Sequence, residues 1–448
     1  MIKLKNKNKE KLFNVIRILG DIIVINAAFV LSFYIRLDEI FTTNIEAYFR
    51  SMPFILIFSI LLFSMFNLYK DQTRKPLSDI LYSFIPASFV IILFSVTLSY
   101  FFQTYKFPRS VFLITLPILI IFMIIWRYLL IRLEKNYESP KGVVIIGSKE
   151  LIEKLISNIN RHTNNGYYIK EVINIDRFHS LSEDQLEKEL DEINPDILFI
   201  TSDMSINDKK ELFYISLEKE WEISIVPEFY EIMISGGDLK QIGEFPVYNI
   251  KSLKERNGSI LKRSLDVTFS TIGLIILSPI ILLVALSIKL TSRGPIFYKQ
   301  RRVSEYGKEF EVYKFRTMVQ NAEEQTGPVL SNNKDSRVTK VGKFLRKTRL
   351  DEIPQLINVL KGDMSIIGPR PERPHFVNKF KKEIEDYEFR HHIKSGITGL
   401  AQINGFYSTD PEEKLRMDLI YANNNNLIFD LKIILNTLKV ILIGHKAE

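Results

Sequence analysis

The chain has 448 residues, 46% of them hydrophobic, with a formal net charge of +8 and no cysteine. Without cysteine, disulfides, thiolate catalysis and zinc sites with cysteine ligands are excluded. The length suffices for two or three domains. The basic excess lies beside long apolar runs, so the expected partners are anionic membrane lipid and phosphate-bearing substrates, and no nucleic acid.

Four apolar segments lie in the first third of the chain, at roughly 13–35, 53–69, 81–102 and 111–131. Each is close to the ~20 residues that a membrane-spanning helix requires. Lysines precede the first segment, so this end should stay in the cytoplasm, and four crossings return the chain to that side. We therefore predict a four-helix transmembrane region over residues 1–138 of a multi-pass protein of the plasma or inner membrane.

The next region, 139–250, alternates short apolar runs with polar helical stretches. The strand candidates are Gly142–Gly147, Ile169–Ile175, Ile197–Thr201 and Ile223–Val226. This alternation predicts a doubly wound, Rossmann-like cytoplasmic module. The loop that starts at Gly147 lacks the repeated glycines that let a backbone approach a pyrophosphate, which disfavours a working dinucleotide site.

A fifth apolar run covers 267–290 and is long enough to cross a bilayer. Basic residues flank it on both sides, whereas a true span has asymmetric flanks. Ser278 and Pro279 interrupt it near the middle, where the serine hydroxyl can satisfy a carbonyl that proline leaves free. These features predict a re-entrant helix over about 264–291 that breaks at Ser278–Pro279, and a full span is the alternative.

A carboxylate pair, Asp351 and Glu352, precedes an amphipathic pattern. The apolar residues at i, i+3, i+4 and i+7 are Ile353, Leu356, Ile357 and Leu360. Pro354 suits a first helical turn and Gly362 a helix end, so the helix should begin near Asp351 or Glu352. Its dipole would lower the pKa of a carboxyl there and keep it ionised as a nucleophile or metal ligand. The alternative is that Asp351 is only an N-cap.

Basic residues surround this pair in the sequence. Those immediately before it are Lys343, Arg346, Lys347 and Arg349. A rigid Gly-Pro-Arg-Pro turn follows and holds Arg370 in place, and a strand candidate over Phe310–Met318 puts Lys314 and Arg316 on one face. Fixed guanidinium groups around carboxylates suit a phosphate ligand bridged by a metal ion. A solvated charged face is the alternative for Lys314 and Arg316.

The three histidines nearest the pair, His375, His391 and His392, lack the convergent spacing of metal ligands, because adjacent residues on a helix do not face each other. We treat them as structural or interfacial. The last apolar stretch, Leu427–Ile443, includes two lysines and is typical of a helix lying in the membrane interface.

The stretch from Arg346 to Ser365, RKTRLDEIPQLINVLKGDMS, resembles the large monotopic phosphoglycosyl transferases. These polyprenyl-phosphate sugar-1-phosphate transferases begin bacterial exopolysaccharide, capsule and O-antigen assembly. The similar motifs run from about Lys262 to the C-terminus, which implies an α/β monotopic catalytic domain over 257–448. Many large members also carry four spans, a Rossmann-like module and a re-entrant helix, and the resemblance implies that the catalytic domain faces the cytoplasm.

The resemblance implies a reaction in which a UDP-sugar, commonly UDP-glucose or UDP-galactose, and polyprenyl phosphate give polyprenyl-diphosphate-sugar and UMP. It makes Asp351 the nucleophile that forms an aspartyl phosphosugar intermediate, and Glu352, with Asp351, the ligand of Mg²⁺. The residues implied to bind the substrate phosphates or UDP are Lys314, Arg316, Arg346, Arg370 and Pro371, with Asp335 and Arg337 as lesser candidates.

Two departures from the family pattern leave contacts open. Phe406 stands where most members carry arginine, and Asn423–Asn426 replaces an aromatic-rich segment.

Two other functions also stay open. A membrane-anchored nucleotide-sugar dehydratase would need an intact glycine-rich NAD loop, and a non-catalytic lipid-binding scaffold would need only basic patches. The sequence does not decide the sugar, the polysaccharide pathway or whether the chain forms a homo-oligomer.

Overall fold

The computed structural model describes residues 2–37, 43–69, 77–101, 108–135, 140–162, 166–250, 260–320, 337–405 and 409–443. The chain forms two compact units, Met1–Pro227 and Glu228–Glu448. The segment 228–250, which the sequence analysis assigns to the Rossmann-like module, is grouped with the C-terminal unit. The three predicted domain boundaries stay a prediction.

The first unit begins with long apolar helices. They are α1 (Ile2–Leu37), α2 (Thr43–Met65), α3 (Leu77–Phe101) and α4 (Arg109–Lys135). Helix α1 packs against α4 and α2, and α3 packs against α2 and α4. Each helix contains a stretch long and apolar enough to cross a membrane. The predicted helical N-terminal region is therefore confirmed.

Charged groups inside this helical region are paired. The Asp21 carboxylate forms a salt bridge with Arg127 and accepts hydrogen bonds from Tyr69 Oη at 3.0 Å and Trp126 Nε1 at 3.1 Å. Both partners of the salt bridge are fully buried. Removing a charge from water is costly unless it is paired and hydrogen-bonded, so this arrangement makes the burial of Asp21 tolerable.

The rest of the first unit is an α/β module. Its elements are β1 (Lys141–Gly147), α5 (Lys149–His162), β2 (Tyr167–Asn174), α6 (Ile175–Ser180), α7 (Glu183–Ile193), β3 (Ile197–Ile200), α8 (Ile206–Glu218) and β4 (Glu222–Ile225). The strands form one parallel sheet in the order β2-β1-β3-β4. Alternate residues of β1 enter separate hydrophobic clusters, as expected for a sheet covered on both faces. The predicted strands and α/β class are confirmed.

The carboxyl end of β1 is already filled by the loop that follows β3. A Cβ atom added to Gly147 would lie 1.7 Å from Thr201 Oγ1. The Ser148 amide, immediately before α5, donates a hydrogen bond to Asp203 Oδ2 at 3.2 Å. A dinucleotide phosphate would need this position at the helix N-terminus, and a carboxylate of the chain itself occupies it.

The second unit contains the residues around the carboxylate pair. Its first elements are α9 (Phe229–Ser235), the hairpin β5 (Asp238–Ile242) and β6 (Phe245–Asn249), and α10 (Ile260–Thr291). The hairpin β7 (Phe297–Val303) and β8 (Glu309–Phe315), then α11 (Lys340–Thr348), α12 (Gln355–Lys361), β9 (Ser365–Ile367) and α13 (Pro374–Glu383) follow. The last elements are β10 (Gly396–Thr398), which pairs with β9, α14 (Leu400–Asn404), α15 (Pro411–Asn423) and α16 (Leu427–Ile443).

Helix α10 is continuous through Pro279, where the sequence predicts a break. Proline cannot donate to the carbonyl four residues earlier, and the Ser278 hydroxyl donates to that carbonyl, Ile275 O, at 2.8 Å. The hydroxyl thus replaces the missing amide and the helix does not end. A bend at this position stays a prediction.

Both ends of α10 are attached to the same unit. Near its start, Arg263 donates to the carbonyls of Val359 and Leu360 at 2.6 and 2.8 Å. Just past its end, the carbonyl of Ser292 accepts a hydrogen bond from Arg316 at 2.9 Å. Between these points α10 leaves large apolar side chains exposed, among them Ile275, Ile276, Leu282, Leu283 and Leu290.

Candidate active site

The carboxylate pair lies in a tight turn between two helices. Helix α11 ends at Thr348 and is followed by Arg349, whose φ of 56° is in the left-handed region. Residues Leu350–Glu352 form a 3₁₀ turn, and α12 begins only at Gln355, after Pro354. The prediction that the helix begins at Asp351 or Glu352 is therefore wrong, because the left-handed Arg349 turns the chain and Pro354 initiates the α-helix. Gly362 ends α12 with a φ of 90°, as predicted.

The N-cap alternative for Asp351 does not fit this geometry. Pro354 occupies the N-cap position of α12, and no side chain caps that helix. Within the described ranges, no backbone amide or side chain donates a hydrogen bond to the Asp351 carboxylate, although the residue is only 8% exposed. Its oxygens are therefore available to a substrate or a metal ion.

Glu352 is held by two cations. Its Oε1 accepts a hydrogen bond from Lys314 Nζ at 2.9 Å and from Arg370 Nη2 at 2.6 Å. Burial raises the pKa of Glu352, but the charges and hydrogen bonds of Arg370 and Lys314 outweigh burial and hold that pKa well below its ordinary value. Glu352 is anionic at neutral pH.

The pKa of Asp351 is shifted in the opposite direction, upward. Burial, followed by the negative charge of Glu352, raises the pKa of Asp351 to about 6, although Lys314, Arg346 and Arg370 act against this. The predicted lowering by a helix dipole is wrong, since the residue precedes the α-helix by four positions and is buried beside another carboxylate. A carboxylate of raised pKa is more basic and hence a better nucleophile than a solvated aspartate.

The turn after β9 is fixed by backbone contacts. Arg390 Nη2 donates to the carbonyl of Arg370 at 3.0 Å, and Arg302 Nη1 donates to the carbonyl of Pro371 at 3.0 Å. Arg390 also pairs with the buried Asp418 at 2.8 Å. These contacts orient the Arg370 guanidinium toward Glu352, and the negative charge of Glu352 raises the pKa of Arg370.

The other predicted phosphate ligands do not contact the carboxylate pair by hydrogen bonds within the described residues, although the charge of Arg346 acts on Asp351. Arg316 is buried just past β8 and donates to Ser292 O and Oγ, and its Nε and Nη1 have no hydrogen-bond partner in the described part of the chain. Arg346 Nε donates to Thr317 Oγ1 at 2.9 Å. The carbonyl of Arg337 accepts from the Val319 amide. Asp335 and Phe406 lie outside the described residues.

The sequence analysis did not identify the structural roles of two residues that position the site. Asn358 is fully buried in α12, where its Nδ2 donates to Glu311 O at 2.7 Å and its Oδ1 accepts from the Tyr313 amide at 2.9 Å. It thereby fixes α12 against β8, next to Lys314. Arg349 is the second, and its left-handed backbone was not foreseen. The sequence signal for Asn358 was an amide residue within an otherwise apolar helical run.

The histidines near the pair contact aromatic rings. His391 packs against Tyr387, and burial, followed by the positive charges of Arg390 and Lys381, lowers the pKa of His391 to about 3. His392 stacks on Phe389. Within the described ranges, no group of three or more His, Asp or Glu side chains is arranged as a metal site.

Comparison with known proteins gives the chain its family. Residues 257–444 match the bacterial sugar transferase model, and residues 64–191 match a CoA-binding domain model. Over 151 residues the chain is 48% identical to a putative undecaprenyl-phosphate N-acetylgalactosaminyl 1-phosphate transferase of Bacillus subtilis, covering 84% of that protein and 33% of this chain. The chain belongs to the bacterial sugar transferase family.

Two other relatives match this bacterial sugar transferase over longer stretches, of 232 and 234 residues. It is 40% identical over 232 residues to a UDP-N-acetylgalactosamine-undecaprenyl-phosphate N-acetylgalactosaminephosphotransferase of Aeromonas hydrophila, covering 46% of this chain and 55% of the relative. It is 37% identical over 234 residues to a UDP-glucose:undecaprenyl-phosphate glucose-1-phosphate transferase of Escherichia coli, covering 51% and 50%. The chain thus spans about half the length of these two relatives.

Proposed function

We propose that this chain transfers a sugar-1-phosphate from a UDP-sugar to polyprenyl (undecaprenyl) phosphate, giving polyprenyl-diphosphate-sugar and UMP, as the first membrane step of exopolysaccharide or capsule synthesis. The observation that carries the proposal is the division of roles within the carboxylate pair. Asp351 has open oxygens and a raised pKa, whereas Lys314 and Arg370 hold Glu352 ionised. The relatives' names contain glucose, galactose or N-acetylgalactosamine, so they leave the sugar open between UDP-glucose, UDP-galactose and others.

The proposed chemistry has two displacements at one phosphorus atom. An Asp351 carboxylate oxygen attacks the phosphorus that carries the sugar, and the bond from that phosphorus to the bridging diphosphate oxygen breaks and releases UMP. An oxygen of polyprenyl phosphate then attacks the same phosphorus and Asp351 leaves as a carboxylate. Lys314, Arg370 and, at longer range, Arg346 offset the negative charge that collects during each displacement.

The residues present fit Mg²⁺ as the cofactor. Adjacent carboxylates are the hard oxygen donors that Mg²⁺ prefers, and a site that also uses substrate phosphates needs only one or two of them. The Asp351 oxygens are open, and Glu352 Oε2 has only a long contact of 3.5 Å with Arg370 Nη1. When bound, Mg²⁺ would neutralise part of the charge on the diphosphate.

We also propose that α1 to α4 cross the cell membrane and that α10 enters it and leaves on the cytoplasmic side with the catalytic unit. Two observations support this arrangement of α10. Arg263 near its start and Ser292 past its end both bond to residues of the same unit. Its exposed apolar residues would otherwise face water.

Release of UMP from a UDP-sugar and polyprenyl phosphate tests the function. Asp351→Asn should lower the rate by several orders of magnitude, since it removes the proposed nucleophile. Asp386→Asn is the matched control, because Asp386 is exposed and its φ of 61° is tolerated by asparagine. Near-normal turnover of a folded Asp351→Asn protein would contradict the proposal.

A further inference from the structure

An apolar cavity of about 190 Å³ adjoins the carboxylate pair. It lies between α12, β10, α14 and α16, and Glu352 and Arg349 line one side of it. Its apolar lining is Ile353, Leu356, Ile397, Ile403, Val440 and Ile441. None of the roles described above uses this cavity.

The size and lining of the cavity suit a short branched hydrocarbon. An apolar protein cavity of about 150 Å³ binds benzene, which has six carbon atoms, so this one has room for a five-carbon isoprene unit. The Thr398 and Thr437 hydroxyls in the lining are hydrogen-bonded to each other at 2.7 Å. Gln402 Oε1 is buried without a hydrogen-bond partner among the described residues, and a sugar hydroxyl would suit that one atom. A whole sugar would leave most of its hydroxyls facing hydrocarbon.

One side of the cavity reaches an apolar surface. Ile441 lines the cavity and is also 40% exposed. Leu438 and Leu442, its neighbours on α16, are likewise exposed. A hydrocarbon chain that emerges from the cavity past Ile441 would continue along apolar side chains, as the tail of a membrane-bound lipid must.

The other side carries a guanidinium group near the charges of Glu352 and Asp351 but in direct contact with neither. Arg349 lines the cavity, and within the described ranges its guanidinium has no hydrogen bond or salt bridge. Arg349 stands two positions before Asp351 in the same turn. A guanidinium group matches the oxygens of a phosphate monoester in geometry and charge.

We infer that this cavity holds the first isoprene unit of polyprenyl phosphate and that Arg349 binds the phosphate of the same molecule. The inference rests on the proposed function and adds the place where the lipid substrate binds. With the isoprene unit in the cavity and the phosphate on Arg349, the lipid phosphate is held at the turn that also contains Asp351. The soluble UDP-sugar then needs a separate approach to the same carboxylate.

Steady-state kinetics of the full chain with each substrate varied in turn test the inference. Ile441→Phe fills the cavity and should raise the KM for polyprenyl phosphate at least about tenfold, since one methylene in an apolar pocket changes selectivity by about 10- to 200-fold. The KM for the UDP-sugar should stay within about twofold, which also shows that the variant folds. Ile428→Phe, the same substitution at an exposed position near the start of α16 and outside the cavity lining, is the control and should change neither value.

Wild-type protein gives a second measurement that needs no variant. Prenyl phosphate, with five carbons, should inhibit competitively against polyprenyl phosphate at least about tenfold more strongly than methyl phosphate, because each buried CH₂ contributes about 0.8 kcal/mol. An unchanged lipid KM in Ile441→Phe, or a raised KM for the UDP-sugar instead, would overturn the subsite, and the second result would assign the cavity to the sugar. A wild-type protein that forms no lipid-linked product would contradict the proposed function itself.

Discussion

At the scale of single residues, two neighbouring carboxylates of the same turn have opposite electrostatics. Glu352 receives hydrogen bonds from Lys314 and Arg370, and Asp351 receives none from the described residues. The different surroundings push the pKa values of two chemically similar carboxyl groups apart. Two carboxyl groups with well-separated pKa values can take different roles in one active site. We propose that Asp351 attacks the phosphorus atom and that the ionised Glu352 orients Lys314 and Arg370 and would help to hold Mg²⁺.

This assignment predicts how the rate depends on pH. A pKa of about 6 for Asp351 means that the carboxyl is ionised above pH 6 and protonated below it. The value of kcat/KM for the UDP-sugar should therefore be flat above about pH 7 and fall about tenfold for each unit below about pH 5.5. Varying the UDP-sugar isolates the first displacement, so ionisation of the lipid phosphate does not enter. A rate that is constant down to pH 4.5, in protein that stays folded, would contradict a raised pKa.

The sequence predicts the electrostatics of this turn poorly, for a physical reason. The pKa values of Asp351 and Glu352 depend on burial and on charges distant in the chain, such as Lys314, which is 38 residues before Glu352. The helix dipole, a local effect, was the only contribution that periodicity could suggest. Arg349 in the left-handed region was equally hidden, because arginine does not favour that conformation.

At the scale of elements, the local sequence pattern predicted the helices and strands better than it predicted the pKa values of the carboxylate pair. Helix α16 covers Leu427–Ile443 as expected, and the parallel strands β1 to β4 lie within one or two residues of their predicted bounds. Their apolar residues recur in patterns that the sequence displays directly, and those of β1 and β3 are largely buried. The continuity of α10 was not predicted, since it depends on whether the Ser278 hydroxyl reaches the Ile275 carbonyl.

The proposed topology of α10, with both of its ends on the cytoplasmic side, gives a further prediction. Single cysteines at Asn257 and Glu305 flank it, and the chain has no native cysteine to interfere. If α10 enters and leaves on one side, a membrane-impermeant thiol reagent should label both positions only from the cytoplasm. A cysteine at Glu39, between the first two apolar segments, is the control and should be labelled only from outside. Labelling of one flank from each side would establish a fifth span.

At the scale of the whole molecule, the C-terminal unit includes α9, which precedes the family match. Ile232 of α9 is buried with Leu415 and Leu419 of α15. Asn423 Nδ2 donates to the carbonyl of Ile232, and a Cβ atom on Gly236 would lie 2.2 Å from Asn423 Oδ1. Asn423, which stands where the family pattern has an aromatic-rich segment, thus holds α9 against α15 by a hydrogen bond.

This packing predicts where the chain can be shortened. A protein that starts at Glu228 should retain UMP release in detergent within about threefold of the full chain, because it keeps one complete compact unit. A protein that starts at Ile260 loses Ile232 and exposes Leu415 and Leu419, so its melting temperature should fall by several degrees. Equal melting temperatures for the two shortened proteins would show that α9 adds nothing to the unit.

If Asp351 carries the phosphosugar from one substrate to the other, incubation of the protein with the UDP-sugar alone should load the sugar phosphate onto this residue. We expect a burst of about one UMP per active enzyme without polyprenyl phosphate, as for other covalent catalysts. We also expect the added mass of one sugar phosphate on the peptide that contains Asp351, absent from Asp351→Asn. If UMP appears only after polyprenyl phosphate is added and no adduct is trapped on wild-type protein, transfer is direct and Asp351 is a metal ligand instead.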